Sequence, residues 1–173
     1  MTTGLGKSEL TKYDRRMYAV MNRREGRPLY ATAARRRALV CAHITLTAIG
    51  VSCWTAMVFA EWMWPVFVLL GTLLPWCIAT GGINGATRGL LELRGRALDE
   101  RQLRERDRVL ARAHRLTSLL LLAVAVGVGF LGWLGDVRLE ALVTPVLIGV
   151  LVPHWLMPLW VAGLTVRDEP DED

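Results

Sequence analysis

Apolar residues in this chain are gathered into four long runs separated by charged stretches. The runs cover residues 38–60, 62–83, 116–134 and 141–166, and none of them contains Asp, Glu, Lys or Arg. About 20 apolar residues in a helix cross the hydrocarbon core of a bilayer. An isolated segment in lipid satisfies its backbone hydrogen bonds only as a helix. The pattern therefore predicts an all-α polytopic membrane protein with four transmembrane helices.

The distribution of basic residues predicts the orientation of these helices. Of the 21 Lys and Arg residues, 20 lie in the N-terminal tail, the loop 84–115 or the C-terminal tail. Because cytoplasmic loops carry the excess of Lys and Arg, we expect a plasma-membrane protein with both termini in the cytoplasm. It would consist of two hairpins joined by a charged cytoplasmic helix. Its parts are a basic tail (1–37), a transmembrane domain (38–166) that includes the loop, and an acidic tail (167–173).

The basic N-terminal tail has the spacing of an amphipathic helix. Ser8 precedes the apolar positions as a potential N-cap. The apolar positions are Leu10, Tyr13, Met17, Val20 and Met21. We expect this helix to rest on the inner leaflet of the membrane.

The charged loop predicts a second helix outside the membrane. Asp99 and Gln102 have the spacing of an N-cap and its partner in the first turn, so we expect a helix from Glu100 to Arg115. It would continue into the third span without a break. Its arginines recur at helical spacing and would form a row. They are Arg101, Arg104, Arg108, Arg112 and Arg115.

This arginine row and three arginines ahead of the first span predict a binding surface. The three are Arg35, Arg36 and Arg37. Each basic residue near an anionic leaflet contributes about 1 kcal/mol, so anionic lipids of the inner leaflet are the expected partners, together with a membrane protein. Nucleic acid explains the same charges less well, because few aromatic residues are interleaved with them and no nucleic-acid-binding motif is present. We expect no nucleic-acid partner.

Small residues recur four positions apart in the third span. They are Ala123 with Gly127 and Ala125 with Gly129, and Gly132 lies beyond them. Such residues let helix backbones approach closely, so we expect them to pack within the four-helix bundle. A homo-oligomer interface is the alternative. A further glycine-rich run, 81–85, is expected to close the second helix, with a hinge as the sharper interpretation.

Prolines divide into two groups. Pro75 lies inside the second span, and Pro153 and Pro158 lie inside the fourth, where each removes a backbone hydrogen bond. Pro65 and Pro145 are expected near helix starts, where proline is tolerated.

The spans offer few groups for transport or metal binding. Ion-coupled transport uses ionisable side chains inside the membrane, and the candidates are His43 and His154. Their depths differ by about 10 Å at 1.5 Å per residue, which disfavours a shared haem. His154 and Met157 form an HxxM pair that suits a soft metal such as copper, although Met at this spacing more often packs. We expect no cofactor, and these three residues remain the metal candidates.

Enzymatic motifs are not found in the sequence. Hydrolysis or group transfer requires a nucleophile, a base and a stabilising group in one pocket. The chain has no GxSxG, HExxH or P-loop motif. We therefore interpret it as a non-enzymatic accessory, scaffolding or regulatory membrane subunit. An oligomeric channel or small permease is one alternative, and a haem or copper redox subunit is another.

The charged loop also resembles a known group of proteins. Residues 94–115 contain Leu98-Asp99-Glu100-Arg101, followed by Arg-Asp-Arg at 106–108 and by Arg112, His114 and Arg115. This segment resembles the LDER-type, arginine-rich cytoplasmic helix of uncharacterised actinobacterial four-helix integral membrane proteins. The resemblance implies a GC-rich origin, consistent with 19 Arg against 2 Lys. That group has no assigned activity, so no functional residue is carried over.

Overall fold

The computed structural model describes residues 11–21, 26–134 and 139–165, and its regular structure within these ranges is entirely helical. The helices are α1 (Lys12–Met21), α2 (Arg27–Tyr30), α3 (Ala33–Phe59), α4 (Pro65–Ala86), α5 (Glu100–Leu134) and α6 (Leu139–Thr165). A 3-10 turn, Gly95–Ala97, precedes α5. Helices α3 to α6 are each long and apolar enough to cross a membrane. Within the described residues, this confirms the prediction of an all-α chain with four helices that are able to cross a membrane.

Helix α5 begins as the sequence predicts. The backbone N–H of Gln102 donates to Asp99 Oδ1 over 2.7 Å, and the N–H of Asp99 donates to Gln102 Oε1 over 3.1 Å. This reciprocal pair satisfies two backbone donors that the first helical turn would otherwise leave open. From Glu100 the helix runs unbroken for 35 residues, so the charged segment and the third span form one continuous helix.

Helix α1 has a different cap and a different buried face from those expected. Thr11 accepts from the backbone N–H of Asp14 over 3.3 Å, and its own N–H donates to Asp14 Oδ2 over 3.1 Å. The expected cap, Ser8, lies outside the described residues, as does Leu10. Asp14 is only 2% exposed, whereas Tyr13 and Val20 are exposed. The buried side of α1 therefore carries the capping carboxylate of Asp14. Two of the predicted apolar residues, Tyr13 and Val20, lie on the exposed side instead.

The end of α4 corrects one prediction. The glycine-rich run 81–85 does not close this helix, which continues to Ala86. The turn is made by Arg88 (φ 52°) and Gly89 (φ 70°). The Gly89 N–H donates to Asn84 O over 2.9 Å and the Arg88 N–H to Gly85 O over 3.1 Å, which is the Schellman pattern. The run lies inside the helix instead.

The prolines follow the prediction with one exception. Pro65 occupies the first turn of α4, and Pro75, Pro153 and Pro158 lie inside their helices. Pro145 was expected near the start of its helix, and this is wrong. Helix α6 begins earlier than expected, at Leu139. Its first residues are ones that the hydropathy pattern had assigned to the preceding turn.

The core lies at the end of the bundle next to the connection between α4 and α5. Helix α3 packs most extensively on α4, α5 packs on α6, and α6 also contacts α3 and α4. Two clusters of buried side chains fill this end. They contain Val40, Ile83, Leu159 and Trp160 in one, and Leu90, Val109, Ala113, Val161 and Ala162 in the other. Towards the opposite end of the helices, large apolar side chains such as Phe67, Leu74 and Trp133 are exposed.

Candidate functional site

A fully buried histidine connects three of the membrane-spanning helices. Nδ1 of His43 on α3 accepts a hydrogen bond from Trp160 Nε1 on α6 over 2.9 Å. On the other side of the ring, Nε2 lies 2.9 Å from Thr80 Oγ1 on α4. An indole N–H can only donate, so Nδ1 carries no proton. His43 is therefore the neutral tautomer protonated at Nε2, which donates to Thr80.

Two further side chains complete this arrangement, which we call the His43 network. Thr80 Oγ1 donates to Trp76 O over 2.9 Å, and Trp76 Nε1 donates to Thr47 Oγ1 over 2.9 Å. Thr47 Oγ1 in turn donates to His43 O over 2.8 Å. The Trp76 and His43 rings lie 4.8 Å apart between centroids. Each polar hydrogen of the network has an acceptor, as a buried polar group requires. The arrangement is suited to fixing α3, α4 and α6 against one another.

The three metal candidates lie in different surroundings. His43 uses both ring nitrogens within its network. His154 is exposed on α6, whereas Met157 is partly buried against both core clusters. Within residues 11–21, 26–134 and 139–165, no group of three or more His, Cys, Asp or Glu side chains is placed to hold a metal ion.

The arginine row is exposed along its whole length on α5. It consists of Arg101, Arg104, Arg108, Arg112 and Arg115. Arg104 Nε donates to Glu100 O over 3.2 Å, and its Nη2 lies 3.8 Å from Glu100 Oε2. The opposite face of α5 buries Val109, Ala113 and Thr117. The row thus lies on the exposed side of a helix whose opposite side packs against the rest of the protein.

The three arginines ahead of the first span do not act as one group. Arg35 and Arg37 are exposed, but Arg36 is only 8% exposed. Arg36 Nη1 donates to Tyr30 O over 3.5 Å, and Arg35 Nη1 donates to Pro28 O over 2.8 Å. These bonds cover carbonyl groups of the short helix α2. Arg36 is therefore buried within the fold, because its guanidinium donates a hydrogen bond to a backbone carbonyl of the same chain.

The small residues of the third span do not pack within the bundle. All five, Ala123, Ala125, Gly127, Gly129 and Gly132, are exposed. A Cβ atom added to Gly127 or Gly129 would meet nothing within 4 Å. The close approach occurs elsewhere, since a Cβ on Gly163 of α6 would stand 2.7 Å from Val40 Cγ2 and 3.0 Å from Ile83 Cγ2. The homo-oligomer alternative for the five residues stays a hypothesis.

A groove that the sequence did not predict opens between α4, α5 and α6. Its volume is about 310 Å³. Its polar lining is Thr80, Asn84, Glu92 and Arg106, and the rest is apolar. Asn84 Oδ1 is buried and has no hydrogen-bond partner among the described residues. A buried acceptor without a hydrogen bond costs about 1–3 kcal/mol of stability. The one sequence signal was the amide of Asn84, one helical turn after Thr80 and directly after the apolar run 62–83.

Comparison of the chain with protein-family models, with curated proteins and with solved structures finds no match. The site is therefore interpreted from its own geometry.

Proposed function

We propose that this chain is a non-enzymatic accessory, scaffolding or regulatory subunit of the plasma membrane. Both termini would face the cytoplasm, and the four spans would form two hairpins joined by the charged half of α5. The observation that carries the proposal is the exposed arginine row, which stands on the same unbroken helix as a membrane span. We also propose that the chain is related to the actinobacterial four-helix membrane proteins whose arginine-rich helix this segment resembles.

The geometry of the row supports a docking role. Arg101 and Arg115 are 14 positions apart, which is about 21 Å along a helix axis. A guanidinium matches carboxylate and phosphate groups with two parallel hydrogen bonds. The row would therefore bind anionic headgroups where it meets the inner leaflet and acidic side chains of a partner further out. Because Val109 and Ala113 hold the reverse face, little conformational entropy would be lost on docking.

The membrane half of α5 supports a role as a subunit. Only 6% of its most apolar segment is buried inside the chain. That surface is left for lipid, for a second membrane protein or for another copy of this chain. Helices in lipid associate through close packing of small residues, which this surface displays from Ala123 to Gly132.

The His43 network supports a structural rather than a transporting use of the intramembrane histidine. Ionisable residues inside a membrane often line an ion path or a water-filled cavity. Both nitrogens of His43 are instead bonded to neighbouring helices. The residue thus acts as an interhelical connector in this conformation.

Charge reversal of the row tests the proposal. Arg104→Glu, Arg108→Glu and Arg112→Glu would be combined in full-length protein extracted gently from its own membranes. Native mass spectrometry would then measure the stoichiometry of any second polypeptide. We expect a stoichiometric partner with the wild type and its loss with the triple variant, because acidic residues would repel an acidic partner surface.

The matched control is lysine at the same three positions. It keeps the charge and should keep most of the partner, whereas a mere defect in folding would affect both variants alike. Recovery that is the same for wild type and the glutamate variant would contradict the arginine row as the docking surface. A wild-type mass of one chain or a pure homo-oligomer would contradict the accessory role itself.

A further inference from the structure

The groove between α4, α5 and α6 combines an unmet acceptor with separated charges. Asn84 Oδ1 has no hydrogen-bond partner in the described chain, and Thr80 lies one turn before it on the same face of α4. Both residues line the groove. A ligand that donates hydrogen bonds would satisfy the amide oxygen, whereas a ligand with acceptors alone would not.

The charged end of the groove is formed by Glu92 and Arg106. Arg106 Nη1 donates to Leu93 O over 3.3 Å, which holds the guanidinium at the rim. No ion pair joins Glu92 to Arg106, although both are described and both line the same groove. The rim therefore presents one anion and one cation as separate binding points.

The remaining wall is apolar. It includes Leu110 of α5 and Trp155, Leu156 and Leu159 of α6. Trp155 is 68% exposed, so the groove is open sideways between the helices. Amphipathic ligands fit a site with a polar rim and an apolar wall, and a volume of about 310 Å³ suits a headgroup with the first part of one acyl chain.

We propose that this groove binds a phospholipid with a primary ammonium headgroup, the chemistry of phosphatidylethanolamine. The phosphate pairs with Arg106. The ammonium group, with its three N–H donors, pairs with Glu92 and donates to Asn84 Oδ1. The acyl chain lies along Leu110 and Leu156. A headgroup without an amine would leave the Glu92 carboxylate facing a phosphate, and like charges disfavour that arrangement.

Lipid competition on the purified full-length protein tests this site. The protein in detergent is mixed with equal amounts of phosphatidylethanolamine and phosphatidylcholine that have the same acyl chains. Native mass spectrometry then measures the fraction of protein with each lipid retained. We expect the wild type to retain phosphatidylethanolamine about tenfold more than phosphatidylcholine, whose quaternary ammonium has no N–H to donate, the ratio that one lost charge-assisted contact produces.

Variants locate the binding within the groove. Arg106→Gln should lower retention of phosphatidylethanolamine about tenfold, and Glu92→Gln should abolish the preference between the two lipids. The matched control is Arg15→Gln, an exposed arginine of α1 that belongs neither to the groove nor to the arginine row. It should leave retention of phosphatidylethanolamine unchanged.

Three results would overturn the proposal. The wild type could retain both lipids equally, it could prefer phosphatidylcholine, or it could retain no lipid, which would leave water as the occupant. The comparison of the two lipids on the wild type stands even if a variant does not fold. Failure here would leave the arginine row untouched, because that surface is tested by recovery of a polypeptide.

Discussion

Replacing His43 and Trp160 by phenylalanine, singly and together, measures how strongly the buried network stabilises the bundle. His43→Phe keeps a ring at a fully buried position but leaves Trp160 Nε1 without an acceptor. Trp160→Phe leaves His43 Nδ1 without a donor. A buried group that loses its partner costs about 1–3 kcal/mol, so each single variant should be destabilised by at least that much.

The double variant separates the hydrogen bond from the packing. When both partners are apolar, neither is left unsatisfied, and the loss should be smaller than the sum of the single losses. Hydrogen bonds between membrane helices contribute about 0.6 kcal/mol on average and about 1.7 kcal/mol at most. We therefore expect a coupling free energy of about 0.6–1.7 kcal/mol between the two positions.

The assay is reversible unfolding in mixed detergent micelles, followed by far-ultraviolet circular dichroism. Helical signal is preferred to fluorescence because the chain has 7 Trp residues and one is altered. His154→Phe is the control, since His154 is exposed and should change the free energy of unfolding by less than about 0.5 kcal/mol. Single losses that add to within about 0.3–0.5 kcal/mol would refute the direct contact between His43 and Trp160.

Two further predictions concern packing and capping. Gly163→Ala should lower the free energy of unfolding by about 1–3 kcal/mol, because its Cβ would stand 2.7 Å from Val40 Cγ2. Gly127→Ala should not destabilise the protein in the same unfolding assay; equal losses would show that the two positions do not differ in packing. Asp99→Ala should destabilise the first turn of α5 by about 1 kcal/mol through loss of the 2.7 Å bond from Gln102 N. Faster hydrogen exchange at Gln102 checks this, and unchanged exchange would contradict the cap.

Local chemistry in the sequence predicted the secondary structure well. Long apolar runs without charges predict membrane-spanning helices, because lipid leaves the backbone no other partner. The start of α5 was predictable for a similar reason, since Asp99 and Gln102 act over three positions. Features of this kind depend only on neighbours in the chain.

The sequence failed wherever the answer depended on which side of a helix meets another helix. In a soluble protein, the apolar face identifies the core. Lipid and protein interior are both apolar, so a membrane helix looks much the same on every side. For this reason the small residues of the third span were expected inside the bundle, whereas Gly163 provides a close contact there.

The candidate sites show the same division. The arginine row follows from helical spacing along one continuous helix, and the sequence alone determined it. The His43 network joins residues that are 37 and 117 positions apart, and the groove at Asn84 collects side chains from α4, α5 and α6. Only the tertiary structure decided these, because hydrogen-bond partners on different helices leave no periodic signal in any one of them.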